Sequence, residues 1–347
     1  MFFWDVSLNN VTFEFKNLKH EQGNKGNLMN YDDLRFENIT GNIQEFKIIG
    51  DSLVGKINQV MFNEKCGLSV KKLKTDLVVA YTTLGLYNTT CITNRTSIEG
   101  DFRFDYEKYA QLSDFVDKVY LKTKIKRSVI YLDDFKYFSS EIEGFELPLV
   151  LSGRCRGTIK DLEGININLI AGNNRFSGDF DLSGLPNIDS TLFDLQIKEF
   201  NTSHQALSQI PNYPFKDKQK LIIPEEINRF EKIIYTGRLM GYITDFYTSG
   251  KIYSGLGDVD LKTRLTYSEQ QKDYRYKGHL KTLDFALGKL LQNENLLDRI
   301  AIETDFDGSS FDAAKAQVQA NGTIDRFDIN HYLASNIKYN LLFSDQK

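Results

Sequence analysis

The stretch GININLIAGNNRFSGDFDLSGL, residues 164–185, decides how the rest of the chain is read. Ile165, Ile167 and Leu169 alternate with Asn166 and Asn168. Beyond a turn-like Gly-Asn-Asn, Phe176, Phe180 and Leu182 share one parity against Asp179 and Asp181. A period of two with one greasy face and one wet face predicts a β-hairpin. The question it raises is what the greasy face rests against.

The same rhythm runs outward in both directions. VYLKTKI puts Val119, Leu121 and Ile125 on one face, with Lys118, Lys122, Lys124 and Lys126 on the other. FDLQIKEF puts Phe193, Leu195 and Ile197 against Asp194, Gln196 and Lys198. KKLKTDLVVAY, YRYKGHLKTLDF and QVQANGTIDRF continue the pattern. One apolar face per strand predicts antiparallel sheet rather than parallel βαβ units. Helical spacing is confined to YEKYAQLSDFVDKV, a turn around HQALSQI at 204–210, and ALGKLLQNENLLDRI at 286–300. Helices so few and short cannot cover a sheet of many strands.

Composition agrees. In 347 residues there are 25 Phe and 18 Tyr but only 5 Pro, which suits continuous sheet. A net charge of −4 argues against a nucleic-acid partner, which asks for a basic face. MFFWDVSLNN places Asp5 where a signal peptide needs an apolar core, and no stretch is apolar for long enough to span a bilayer. Cys66, Cys91 and Cys155 lack metal or redox spacing; free thiols are the simpler reading, and a Cys66–Cys91 disulfide stays open. Asn-x-Ser/Thr triplets begin at Asn10, Asn38, Asn88, Asn94, Asn201 and Asn321 and read as chance matches in an Asn- and Thr-rich chain.

Self-similarity is the most informative feature. GDFRF at 100–104, GDFDL at 178–182 and GDVDL at 257–261 recur 78 and 79 residues apart. SGRCRGTIKDL from Ser152 and TGRLMGYITDF from Thr236 recur at 84 residues and precede the later two Gly-Asp elements. This predicts one elongated array with units near 1–105, 106–183, 184–262 and 263–347, each adding a few strands.

Catalytic constellations fail in turn. Gly50 to Lys56 spells most of a phosphate-binding loop, but Ile57 stands where the magnesium-binding hydroxyl belongs and strand-type residues follow. His20, His204, His279 and His331 are isolated, and no nucleophile elbow exists. Carboxylates sit in turns or on outward parity, which leaves a sheet-borne glycosidase as a weak alternative. The lysine row Lys118 to Lys126 reads as a solvated strand face, with contact to anionic headgroups as the other reading. A half-apolar sheet without helices must therefore close on itself, face lipid, or stay open toward a greasy ligand. The repeat favours the last, a stacked array with a hydrophobic groove.

SLNNVTFEF, LSVKKLKTDL, SIEGDFRFDY, SGRCRGTIKDL and FSGDFDLSGLPNI together resemble the TamB branch of the AsmA-like envelope proteins, in its Bacteroidota-type form. YRYKGHLKTLDFALGKLL and AQVQANGTIDRFDINHY resemble the continuing repeats of that family. The resemblance implies a mostly β, elongated, curved antiparallel trough with a few short helices. It also implies a non-enzymatic conduit for phospholipid acyl chains in the periplasm of a Gram-negative bacterium, without cofactor. A BamA-family partner would be met by parts outside this chain, which is expected to be an internal segment without the family's membrane anchor. An assembly or interaction module for outer-membrane proteins is the alternative.

By parity, the lining would include Phe102, Phe104, Val119, Leu121, Ile125, Ile165, Ile167, Leu169, Phe180, Leu182, Phe193, Leu195, Ile197, Val259 and Leu261. These assignments assume that no bulge interrupts the alternation.

Overall fold

The computed structural model describes residues 5–18, 28–270, 272–312 and 315–344. His20 and the first four residues of the chain lie outside them. The chain is mostly β and antiparallel, as the alternation predicts, with eighteen strands and three short α-helices among the described residues.

Two compact units divide it. The first holds β1 (Asp5–Lys16), β2 (Asp33–Ile49), β3 (Ser52–Glu64), β4 (Ser69–Ala80), β5 (Thr83–Ile92), β6 (Ser97–Asp105), β7 (Tyr120–Ile130), β8 (Leu149–Gly157) and β9 (Asp161–Ala171). Each pairs antiparallel with the next in the chain, a pure meander. The residues of β10 (Asn174–Ser183) are shared between the units. The second unit holds β11 (Leu192–Thr202), β12 (Ile233–Tyr242), β13 (Asp245–Ser254), β14 (Val259–Ser268), β15 (Asp273–Ala286), β16 (Leu297–Ser309), β17 (Gln317–Ile329) and β18 (Tyr332–Ser344), again a meander.

The two long sequence repeats land on equivalent elements. SGRCRGTIKDL runs from β8 through its turn into β9, and TGRLMGYITDF does the same from β12 into β13. Gly100 and Gly178 both sit inside strands, where a Cβ would meet the next strand's carbonyl oxygen at 2.3 Å (Lys124) and 2.2 Å (Gln196). Glycine is needed there for close approach. The third copy differs: Gly257 and Asp258 lie between the turn at Gly255–Leu256 and β14 rather than in a strand interior.

The helices are shorter than their spacing predicts. Residues 109–114 form a 3₁₀ turn that leads into α1 (Phe115–Lys118). Ser203 caps α2 (His204–Leu207) through the Ala206 N–H. The expected helix over 286–300 stops at α3 (Leu287–Leu291), where Gln292 turns left-handed at φ 54°. Leu297 and Ile300 instead pair with Ile329 and Phe327 as strand. Tertiary pairing outweighs local helical spacing there.

Register slips interrupt the alternation. Asn10, Asn38, Asn88 and Asn166 all have φ between 50° and 55°, and each lies at a bulge. Asparagine tolerates this left-handed backbone better than other side chains, and a β-branched residue follows each one. Three of these four head Asn-x-Thr triplets, so bulge chemistry accounts for that recurrence better than chance.

Candidate functional site

Directly paired residues share a face, so the registers give the apolar surface of each unit strand by strand. In the second unit, one row reads Phe193, Gly241, Phe246, Leu265, Tyr276, Gly308, Val318, Phe343 across eight strands. The next reads Leu195, Leu239, Thr248, Thr263, Gly278, Phe306, Ala320, Leu341. A third reads Ile197, Gly237, Gly250, Leu261, Leu280, Thr304, Gly322, Tyr339. No charged residue enters these rows.

The first unit repeats the arrangement. Leu53, Val79, Leu84, Phe104, Leu121, Gly157 and Leu162 form one row; Gly55, Leu77, Leu86, Phe102, Thr123, Cys155 and Gly164 form the next. The hydroxyls within these faces are satisfied locally. Thr75 and Thr89 bond each other at 2.8 Å, Thr123 donates to the Cys155 carbonyl at 3.4 Å, and Thr248 bonds Tyr235 at 2.6 Å. Thr282, two residues beyond Leu280 on β15, is an exception, with a buried and unpartnered Oγ1; the rows themselves present mainly methyl and ring surface.

These faces are not sealed. Every Phe, Leu, Ile and Val in the five rows remains half-buried, except Leu341 and Phe343, which are exposed. A closed sandwich would bury such side chains almost completely. Closure is local: Leu256, Val259, Phe285, Ala286 and Ile300 form a core with Phe230 and with Leu287 and Leu290 of α3. In the first unit Met29, Leu68 and Val70 pack with Tyr31, Phe62 and Tyr137. The Phe115 ring of α1 lies 5.7 Å from that of Phe104.

The opposite face of the second unit is polar and carries matched charges. Asp194 takes Arg238, Asp245 takes Arg264 at 2.5 Å, Glu303 takes Lys281 at 2.6 Å, and Asp307 takes Lys277 at 3.2 Å. The Arg238 hydrogen bond holds the Asp194 carboxyl below its ordinary range, and Arg264 does the same for Asp245. Exposed pairs of this kind contribute little each, but they keep this face wet.

The structure brings most of the parity-assigned residues onto the apolar faces. Phe102, Phe104, Leu121 and Ile125 share one, and Phe193, Leu195, Ile197 and Leu261 share the other. Phe180 and Leu182 are half-buried, one in each unit. Ile165 is a correction: it pairs with Arg154, while the bulge at Asn166 sends Ile167 and Leu169 to the Leu151 side. Val119 is 0% exposed, Ile167 3% and Val259 7%, so these three are sealed within protein and line nothing. Leu77, Leu86, Leu239, Phe246, Leu280 and Phe306 belong to the faces but are absent from the parity set. Their signal was present in the sequence: Leu239 and Phe246 belong to TGRLMGYITDF, Leu77 to KKLKTDLVVAY and Leu280 to YRYKGHLKTLDF.

The remaining candidates are quiet chemically. Burial and a bond to Glu64 push the Cys66 thiol up to about 12, and burial raises Cys91 and Cys155 as well. All three are free thiols held protonated at neutral pH. His204 contacts the Ile223 carbonyl at 3.2 Å, and His279 sits between Asp305 and Glu303 on the polar face. Among the described residues no cluster of His, Cys, Asp and Glu is positioned to hold a metal. Gly50 makes a tight turn between β2 and β3, and Lys56 pairs with Glu45 at 2.7 Å, so no phosphate cradle forms there. No helix among the described residues is long and apolar enough to cross a membrane. Comparison with family models, curated proteins and solved structures finds no match to this chain.

Proposed function

We propose that this chain is a lipid-carrying segment of an AsmA-like envelope protein of the TamB kind. In this reading it works in the periplasm of a Gram-negative bacterium and shields phospholipid acyl chains between the inner and outer membranes. The observation that carries the reading is the set of uncharged rows crossing eight successive strands while their large side chains stay partly accessible to water. Exposed apolar surface on that scale needs an occupant. A featureless ladder of Leu, Phe, Ile and Gly suits a chain of methylenes, at about 25 cal/mol per Å² covered. The reading asks for no chemistry and no cofactor, and any BamA-family partner would be met through other parts of a longer protein.

A second reading has one observation in its favour. β18 pairs with β17, and its Leu333, Leu341 and Leu342 are 66%, 52% and 77% exposed. A bare, greasy strand edge is a template for strand addition by a client protein.

Purification without detergent followed by lipid extraction and native mass spectrometry separates the two. Co-purified phospholipid should fall at least tenfold in Leu261→Glu and in Phe102→Glu. It should be unchanged in Ser249→Glu, on the polar face, with strand content by circular dichroism equal in all four proteins. Lipid that persists in both apolar-face variants sinks the conduit reading. Absence of lipid together with binding of strand-forming peptides moves the assignment to the interaction module.

A further inference from the structure

On the polar face of the first unit, β7 and β8 set cation directly opposite cation. Lys122 pairs with Arg156 and Lys124 with Arg154. Like charges facing each other across neighbouring strands destabilise the sheet. The first pair is neutralised, Lys122 by Asp105 at 3.1 Å and Arg156 by Glu163. The second is not: among the described residues no carboxylate lies within ion-pair distance of Lys124 or Arg154. Asp101 is the register partner of Lys124, yet its Oδ1 is turned toward β5, where it accepts the Asn88 backbone N–H at 2.8 Å.

The uncompensated pair is also where the surface dips. A depression of about 660 Å³ is lined by Lys122, Lys124, Arg154 and Arg156, with Tyr87, Asp101, Arg103 and Ile165 among its other walls. Ile165 is there because the Asn166 bulge turns it onto the charged face, so an apolar shoulder stands beside two unpaired cations.

We propose that Lys124 and Arg154 hold the phosphate group of a phosphate-bearing ligand. The guanidinium presents a planar fork that grips two oxygens, and the ammonium adds a compact charge. Tyr87 and Ile165 give the organic part of the ligand a surface to lie on. The phosphate itself relieves the repulsion that the fold otherwise carries. Lys124 and Arg154 stand on the face opposite the apolar rows, although Phe102, Thr123 and Cys155 of those rows also border the depression.

The test uses the full chain in low-salt buffer with inorganic phosphate as one probe and phosphatidylglycerol vesicles as the other. Phosphate should raise the thermal midpoint of the unaltered protein, or the protein should float with the vesicles. Lys124→Gln and Arg154→Gln should weaken the response at least fivefold. Lys262→Gln removes equal charge from the polar face of the second unit and should leave it intact. Without ligand, Lys124→Gln should melt higher than the unaltered protein, which also establishes that it folds. A response to phosphate alone points to a soluble phosphoester, and one to vesicles alone points to a lipid headgroup; both uphold the site. No response to either probe, or an equal loss in Lys262→Gln, overturns it.

Discussion

Asp134 gathers the donors of a whole turn. Its carboxylate is 7% exposed and accepts Thr93 Oγ1 at 2.7 Å and the Arg95 and Thr96 backbone N–H groups at 3.0 Å each. Arg95 Nε adds a bond at 3.1 Å to the other oxygen. This ties the turn between β5 and β6 to the short helical segment at 132–135. Burial pushes the Asp134 carboxyl up, and the bonds from Thr93, Arg95 and Thr96 outweigh it, so it ends below its ordinary value. A carboxyl depressed in the folded state contributes stability that is complete above its unfolded value of about 4 and lost as pH falls through the folded one. Asp134→Ala is therefore expected to cost about 2–4 kcal/mol in urea unfolding at pH 7. The gap from the unaltered protein should narrow as pH drops below about 4. A variant of full stability at pH 7, or a gap independent of pH, contradicts this account.

At the scale of elements, the bulges decide what the sequence reveals. Period-two alternation placed β4, β7, β9, β10, β11, β15 and β17, because one buried-side pattern serves any antiparallel meander. It misplaced Ile165 because an inserted residue leaves no mark on alternation: Ile165, Ile167 and Leu169 look identical until Asn166 is seen to be left-handed. The available signal was Asn followed by a β-branched residue, as at Asn10-Val11, Asn38-Ile39, Asn88-Thr89 and Asn166-Ile167. The helix expected over 286–300 failed for a related reason. Leu297 and Ile300 fit either period, and partners on β17 chose strand. If left-handed backbone is what Asn166 supplies, Asn166→Gly should change stability by less than about 0.5 kcal/mol, while Asn166→Val should cost about 1–2 kcal/mol. Chemical denaturation of the two variants side by side measures this. Equal costs would mean that the side chain rather than the backbone matters at this bulge.

At the scale of the molecule, the chain leaves 20794 Å² accessible to water. A single globule of 40.0 kDa would expose about 14,400 Å², and two globules of half that mass about 17,400 Å². The total exceeds the second figure as well, and the partly exposed apolar rows contribute to it. The apolar rows are the part of that surface which water should vacate, and the part that sequence alternation made legible from the start. Whether the rows were covered was not legible, since Phe230 and the α3 leucines that close the local core have no alternation of their own. Heat capacity reads this cover directly, because unfolding a protein adds about 12–15 cal/mol/K per residue when its apolar area was buried to the usual extent. For 347 residues that is about 4.2–5.2 kcal/mol/K. Lipid-free protein is expected to fall below about 4 kcal/mol/K in scanning calorimetry. Protein saturated with phospholipid should show a larger increment, since unfolding then exposes the rows and releases their occupant. A lipid-free value near 5 kcal/mol/K would mean that Leu239, Leu261, Leu280 and their neighbours are already covered in solution, leaving the rows nothing to carry.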